Sequence, residues 1–407
     1  MTTLTSVSAR SFDSSAMPTV TMIGGGQLAR MTHQAAIALG QRLRVLAERP
    51  DDPAAQVTPE VVLGSHDDLT ALRKAAVGSH ALTFDHEQVP TEHLEALIAE
   101  GVNVQPTPQA LIYAQDKLRM RRKLTELGVP IPAFAEVTSV SDAVAFGDEH
   151  GWPFVLKAVR GGYDGRGVWM PADAAEATGL VEDQLAHGVS LMAETKVDLK
   201  RELSAMVARS PFGQAAAWPV VETVQRNGQC AVVIAPAPDL DDVKATEAEA
   251  LALRLAAELG VTGAMAVELF ETHSGELLVN ELAMRPHNSG HWGMDGACTG
   301  QFEQHLRAVL DYPLGSTEPL APVTVMANIL GAAEAPEMSM DERLHHLAAR
   351  IPEAKVHLYG KGERPDRKIG HINILGDEVA ATRELAERAA HWMSHAVWTD
   401  GWDPHHD

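Results

Sequence analysis

The sequence predicts an α/β chain of two or three domains, and three observations carry that prediction. A β-branched run, Pro18–Ile23, closes on Gly24-Gly-Gly26 and passes into a helical pattern, the opening of a βαβ unit. Two strand-like runs, Ala264–Phe270 and Glu276–Leu282, flank the polar, Gly-containing Glu271-Thr-His-Ser-Gly275, which reads as a β-hairpin. The third observation is length, because 407 residues exceed what one core usually serves.

Composition narrows the function classes. With 45% hydrophobic and 22% charged residues the chain buries ordinary cores and is not disordered. No run approaches the roughly eighteen apolar residues of a membrane span. Residues 1–18, rich in Ser and Thr, lack an apolar stretch and read as a disordered tail rather than a signal peptide. Cys230 and Cys298 offer no disulfide framework and no metal-ligand spacing, so the default setting is reduced and cytoplasmic. A formal net charge of −22 argues against a nucleic-acid surface. It leaves room for a small anionic ligand, which needs only a local pocket of cations or backbone N–H groups.

In the N-terminal third, the helical pattern after the glycines runs to Leu39, Gly40 stops it, and a second strand follows over Leu43–Glu48. Gly24-x-Gly26-x-x-Ala29 with Glu48 downstream reads as a site for a phosphate or nucleotide laid against helix N-terminal N–H groups, with a dinucleotide such as NAD as one version. Ala81–Phe84 reads as a later strand. Asp85 and Glu87 stand at its carboxyl end, where open α/β sheets bind ligands. For Asp85 an acid at a helix N-terminus is an equally good reading.

The middle predicts an amphipathic helix over Gln115–Leu127, stopped by Gly128 and Pro130, with Lys117 in its first turns. Trp152–Lys157 reads as a strand ending in a lysine. The loop Arg160-Gly-Gly-Tyr-Asp-Gly-Arg-Gly167 follows at once, and its four glycines suit a flap whose N–H groups close over phosphates. Next come a strand Ser190–Glu194, the segment Thr195-Lys-Val197, and Glu202 opening a further strand to Val207. An extended segment beside an acid is suited to reading an adenine edge and ribose hydroxyls.

On the hairpin, Glu268 and Glu281 can meet side by side, depending on register. Converging carboxylates repel unless a divalent cation lies between them, and Asn280 can add an amide oxygen. Arg285-Pro-His-Asn-Ser-Gly-His-Trp292 then packs an Arg, two His and an Asn into eight residues. Carboxylates for Mg²⁺ beside such a cluster suggest phosphoryl transfer from a nucleotide.

This order of a helix lysine, strand lysine, glycine flap, strand with an acid, second acid and paired Glu on adjacent strands resembles the ATP-grasp superfamily. Ile23–Leu28, Gly161–Gly167, Arg201-Glu-Leu-Ser204, Arg285–Trp292 and Tyr359–His371 are similar to the 5-(carboxyamino)imidazole ribonucleotide synthases, the ATP-dependent carboxylating enzymes of purine synthesis. The resemblance runs from about Val20 to Asn373. It implies an N-terminal Rossmann-like pre-ATP-grasp domain over 19–113, an ATP-grasp body over 114–318 and a small β-rich C-terminal domain over 319–400. It also implies a cytoplasmic homodimer that uses ATP, Mg²⁺, bicarbonate and 5-aminoimidazole ribonucleotide.

By residue, the resemblance implies that Lys117, Lys157 and the flap Gly162, Tyr163, Asp164, Gly165, Arg166, Gly167 and Val168 hold the ATP phosphates. Glu194, Thr195, Lys196 and Val197 line the adenine pocket, and Glu202 binds the ribose. Glu268 and Glu281 carry Mg²⁺, with Asn280 beside them. Gly26, Gln27, Glu87 and Tyr163 meet the ribonucleotide, Arg285, His287 and Asn288 line the reaction centre, and Lys361 and Arg367 grip the substrate's 5′-phosphate.

The chain departs from the family pattern in three places. Gln225 stands at an ATP contact where a His is common, Met284 replaces a Pro before Arg285, and Phe84-Asp-His-Glu87 replaces Tyr-Glu-Phe-Glu. Gln donates and accepts hydrogen bonds but does not ionise. The rival readings are another ATP-grasp carboxylase or ligase, an NAD-dependent oxidoreductase resting on the first glycine turn, and a non-catalytic regulator that keeps the nucleotide pocket.

Overall fold

The computed structural model describes residues 17–162 and 167–402, so Tyr163, Asp164, Gly165 and Arg166 of the flap, and the tail before Met17, lie outside the described residues. Three sheets organise the described residues. The first is parallel and has four strands, in the order Glu60–Leu63, Arg42–Ala47, Thr19–Ile23, Ala81–Phe84. All five residues of Thr19–Ile23 are buried, as a central parallel strand covered on both faces requires. The helix Gln27–Ala38 follows the glycine turn and packs its Leu28, Ala29 and Met31 inward.

A small antiparallel sheet, ordered Phe134–Val137, Leu191–Glu194, Val155–Ala158, Val168–Trp169, carries Lys157 and Glu194 on neighbouring strands. The helices Val140–His150 and Ala174–Ala186 cover it, and Phe146, Phe154 and Val181 form its core.

The largest sheet has nine strands. From the edge it runs Leu277–Ala283, Gly263–Thr272, Leu199–Arg209, Val221–Arg226, Gln229–Ala235, Val323–Leu330, Lys368–Gly376 and Lys355–Leu358, with Ala215–Ala217 pairing on Leu199–Arg209. No sheet edge separates the residues before 318 from those after: Gln229–Ala235 pairs with Val323–Leu330 over Val232↔Ala327 to Ala235↔Thr324. The body and the C-terminal strands therefore share one hydrogen-bonded ladder. Behind the last strands the helices Met340–Arg350 and Val379–His395 bury Leu347, Trp392 and Met393 against Ile329, Ile372 and Ile374.

Two features differ from the sequence reading. The helix read as Gln115–Leu127 is Lys117–Glu126, and its expected start differs because Gln115 ends a separate helix, Pro108–Gln115, with Asp116 between the two. Asp116 is extended and its carboxylate accepts from Arg119 N at 2.9 Å, so it caps the second helix. The hairpin 263–283 has the expected antiparallel pairing, but its register slips after Glu268. Glu268 faces Glu281 while Leu269 faces Val279, which makes Asn280 the extra residue of a β-bulge.

Candidate active site

The strand carboxyl ends of the first sheet, the small sheet and the hairpin edge of the large sheet enclose one cleft of about 1700 Å³. Gln27, Glu87, Lys117, Lys157, Gly162, Val168, Glu194, Thr195, Lys196, Val197, Glu202, Gln225, Glu268, Asn280, Glu281, Arg285, His287 and Asn288 all line it. Gly26, Gly167, Lys361 and Arg367 do not line it, although the Lys361 ammonium donates to Gln27 Oε1 at its rim.

At the hairpin the register sets Glu268 directly across from Glu281. Burial, then the negative charges of Glu281 and Glu202, push Glu268 up to about 8. Lys117 Nζ lies 2.9 Å from Glu281, and Asn280 Nδ2 donates to Glu268 Oε2 at 3.4 Å. The bulge turns Asn280 and Glu281 together into the cleft. Among the described residues no three His, Cys, Asp or Glu side chains form a metal-ligating group. Two carboxylates fit Mg²⁺ nonetheless, since that ion takes one or two protein carboxylates and completes its shell with phosphate oxygens and water.

Glu194 was expected in the adenine pocket; it lines the cleft, and its carboxylate is committed to two cations. It is buried between Arg121 Nε at 2.5 Å and Lys157 Nζ at 2.6 Å. Burial alone would raise its pKa, yet the two cations hold it below the usual carboxylate range. Lys157 also donates to Asn280 Oδ1 at 3.3 Å, so the strand lysine is braced toward the hairpin. Arg121 escapes the sequence reading because it sits among six charged residues in a ten-residue helix, where charge usually means solvent. Here its side chain is 1% exposed and Nη1 donates to Val279 O at 3.0 Å. A heptad-like spacing from Lys117 and Leu118 was the one available hint of an inward face.

Elsewhere on the cleft wall Gln225 Nε2 donates to Glu202 Oε2 at 3.0 Å, and burial raises Glu202. Cys230 lies beside Gln225 in register, and burial pushes its thiol up to about 12. It is therefore an apolar wall and not a nucleophile.

The third wall joins two domains. Arg285 Nε lies 2.8 Å from the Glu87 carboxylate, so this arginine is tied to the end of the first sheet. His287 Nε2 lies 3.3 Å from Glu268, while its Nδ1 shares a hydrogen bond with Ser289 Oγ at 2.9 Å. Ser289 Oγ in turn bonds Ser204 Oγ at 2.8 Å. Burial, then Arg285 and Lys368, push the His287 imidazole down to about 3. The ring is neutral, with both nitrogens already in contact, Nδ1 with Ser289 and Nε2 with Glu268. Lys368, which with Lys361, Arg364 and Arg367 forms a basic island suited to a phosphate, also lines the cleft.

The glycine turn serves a different purpose from the one its pattern suggests. Gly26 N donates to Asp85 Oδ2 at 2.7 Å and Ala29 N to Asp85 Oδ1 at 3.0 Å. The helix N-terminus is thus filled by the protein's own carboxylate, and a Cβ on Gly26 would fall 2.2 Å from Asp85 Oδ2. A dinucleotide pyrophosphate would need those same N–H groups, so the NAD reading loses its structural basis.

Comparison with known proteins agrees with this architecture. Family models match residues 17–115 as a ribonucleotide synthetase preATP-grasp domain, 122–302 as an ATP-grasp domain and 324–385 as a phosphoribosylaminoimidazole carboxylase C-terminal domain. An N5-carboxyaminoimidazole ribonucleotide synthase of Mycobacterium bovis is 66% identical over 388 residues, covering 95% of this chain and 90% of the relative. A crystal structure of an N5-carboxyaminoimidazole ribonucleotide synthetase in complex with ADP superposes with a TM-score of 0.84 at 34% identity, over 92% of this chain and 97% of that one. The Aspergillus clavatus synthase bound to ADP and 5-aminoimidazole ribonucleotide gives a TM-score of 0.84 at 29% identity, over 93% and 99%. The fold and the cleft are those of an ATP-grasp enzyme. Within that class, the chain belongs to the N5-carboxyaminoimidazole ribonucleotide synthase family.

Proposed function

We infer that this chain joins bicarbonate to the exocyclic amine of 5-aminoimidazole ribonucleotide while ATP becomes ADP and phosphate, a step of purine biosynthesis. The observation that carries the reading is the facing of Glu268 and Glu281 in a cleft walled by Lys117 and Lys157 on one side and by the Arg285–Glu87 pair on the other. That arrangement suits a nucleotide's phosphates beside a second compartment bounded by the N-terminal domain. The sequence divisions 19–113, 114–318 and 319–400 serve as the working domain limits. Among the described residues no helix is long and apolar enough to cross a membrane. A cytoplasmic homodimer is the assembly we propose, on the family likeness.

Bicarbonate is a poor electrophile, so its oxygen first takes the γ-phosphoryl group of ATP and becomes carboxyphosphate. Negative charge grows on phosphoryl oxygens in that step. Lys157, braced by Glu194 and Asn280, and Lys117 supply fixed positive charge against it. Glu268 and Glu281, with Asn280 beside them, would hold Mg²⁺, which when bound adds divalent charge at the phosphates. Thr195, Lys196 and Val197 present backbone to the adenine, while Glu202, steadied by Gln225, takes the ribose hydroxyls. Gly162, Gly167 and Val168 are the described ends of the flap that would cover the phosphates.

The amine nitrogen then attacks the carboxyl carbon, phosphate leaves with its bonding pair, and the nitrogen gives up a proton. We assign His287 as the first acceptor on its place in the cleft, with Nδ1 fixed by Ser289; a ring held down to about 3 is a weak base, so the released phosphate takes the proton on. Arg285 and Asn288 hold the carboxyl oxygens. Gln27 and Glu87, which line the cleft, seat the ribonucleotide, and Lys361, beside Gln27 at the rim, takes its 5′-phosphate with Arg367.

The deciding experiment is ADP release from Mg·ATP and bicarbonate, with and without 5-aminoimidazole ribonucleotide. Strong dependence on the ribonucleotide, with one phosphate per ADP, is the expected result. ATP binding without that stimulation would discard the substrate. In the same assay Glu281→Ala should abolish turnover with an unchanged circular dichroism spectrum, and near-normal turnover would sink the metal assignment.

A further inference from the structure

We propose that Arg343, buried beneath the C-terminal helix and outside the cleft, is a positioning residue for the ribonucleotide's phosphate and acts through Glu363. The proposal rests on the reading of Lys361 and Arg367 as the phosphate grip. Both belong to Gly360-Lys-Gly-Glu-Arg-Pro-Asp-Arg367, a segment with no helix or strand of its own to set its shape. Three cations within seven residues crowd together with Glu363 and Asp366 between them, and Arg49 stands near: after burial, Arg364 and Arg49 lower Arg367, while Asp51 and Asp52 raise it. A loop of such mixed charge can pair its own acids with its cations unless something fixes its backbone and side chains.

The structure fixes it at three points. At one end Gln56 Nε2, from the N-terminal domain, donates to Gly360 O at 2.8 Å. At the other end Gly331 pairs with it twice, Gly331 N to Arg367 O and Asp366 N to Gly331 O, each at 2.9 Å. Gly331 has no side chain because Arg364 O would lie 2.1 Å from its Cβ. The middle is held by Arg343, whose Nη2 donates to Glu363 Oε1. Each cation is therefore no more than one residue from a fixed point.

Arg343 is itself immobile. It lies on the helix Met340–Arg350, its side chain is 1% exposed, and Nη1 donates to Met393 O at 2.6 Å. Its own carbonyl accepts from Trp392 Nε1 at 2.7 Å. Stability alone does not call for a charge there, since a buried ion pair is often no more stabilising than an apolar pair of the same volume. What the pair supplies is geometry. It also keeps the Glu363 carboxylate turned inward, away from Lys361 and Arg364, where it would neutralise the charge offered to a phosphate.

The test compares the wild-type chain with Arg343→Met and Glu363→Ala. Four quantities are read: KM for 5-aminoimidazole ribonucleotide, KM for ATP, kcat, and the inhibition constant of 5-aminoimidazole riboside, which lacks the phosphate. The expected result is a rise of about tenfold to a hundredfold in the ribonucleotide KM, the scale of a misplacement near 1 Å. KM for ATP, kcat and the riboside constant should stay at wild-type values, and the double variant should be no worse than the larger single effect. Loss of all four together would show a merely structural role and overturn the proposal, as would an unchanged ribonucleotide KM. Should Arg343→Met fail to fold, Glu363→Ala, at a side chain 24% exposed, decides by the same criteria. Absence of ribonucleotide-dependent ADP release in the wild-type chain would instead overturn the functional reading and the proposal with it.

Discussion

Arg121 and Asp85 each do work that their neighbours in sequence conceal. Arg121 closes a chain of contacts that runs through Glu194 to Lys157 and on to Asn280. Removing one member of a buried pair leaves the other's charge uncompensated, at a cost of about 3 kcal/mol when a second partner remains, the low end for buried pairs. Arg121→Met should therefore lower unfolding free energy in urea by about that amount. It should also raise the KM for ATP more than that for the ribonucleotide; equal changes in the two constants would contradict the bracing of Lys157. Asp85 illustrates the limit of motif reading in another way. Its bonds to Gly26 and Ala29 span 59 and 56 residues, and no local pattern encodes them. Glu268 and Glu281, in contrast, were legible, because two alternating strands around a polar turn leave few registers and one of them sets the two acids face to face.

At the scale of elements, the strands and most helices follow from periodicity and punctuation. Thr19–Ile23, Arg42–Ala47 and Ala81–Phe84 stand within a residue or two of the runs that predicted them. The errors lie where one residue changes the backbone. Asp116 reads as part of an unbroken helix until its extended conformation and cap are seen, and the bulge at Asn280 leaves no mark in a pattern of period two. The glycine turn yields the prediction at this scale. Gly26→Ala would drive a methyl into Asp85 Oδ2, displacing the carboxylate from two backbone donors. We expect a loss of roughly 1–3 kcal/mol, the cost of unsatisfied buried groups, visible as a lowered thermal midpoint. An unaltered midpoint would mean that Asp85 is not what the turn is built around.

Across the whole molecule, His305 ties the first sheet to the largest. Ala264 N donates to its Nδ1 at 3.0 Å, which leaves Nε2 as the protonated nitrogen toward Thr83 Oγ1 at 2.8 Å. Burial pushes this imidazole down from 6.5 to about 4. Below pH 6.5 the unfolded chain takes up a proton that the native ring refuses until about pH 4. The contribution of His305 is therefore complete above pH 6.5 and fades between those values, by about 3 kcal/mol in all. Urea unfolding across this window should show a steeper fall for the wild-type chain than for His305→Gln. Parallel curves would remove His305 from the account; His287, His291 and His371 add their own shares to both chains. The fusion of body and C-terminal strands into one ladder was not legible, since strand neighbours 88 residues apart leave no trace in local pattern.

That ladder has a consequence for how the chain is made. Gln229–Ala235 leaves the ribosome well before Val323–Leu330, the strand that completes its hydrogen bonds. At about 5–20 residues per second the wait is roughly 5–20 s, during which a nascent chain carries an open, apolar strand margin. Synthesis halted near Glu318 would make that margin permanent, so a premature stop there yields a sticky fragment rather than a smaller enzyme.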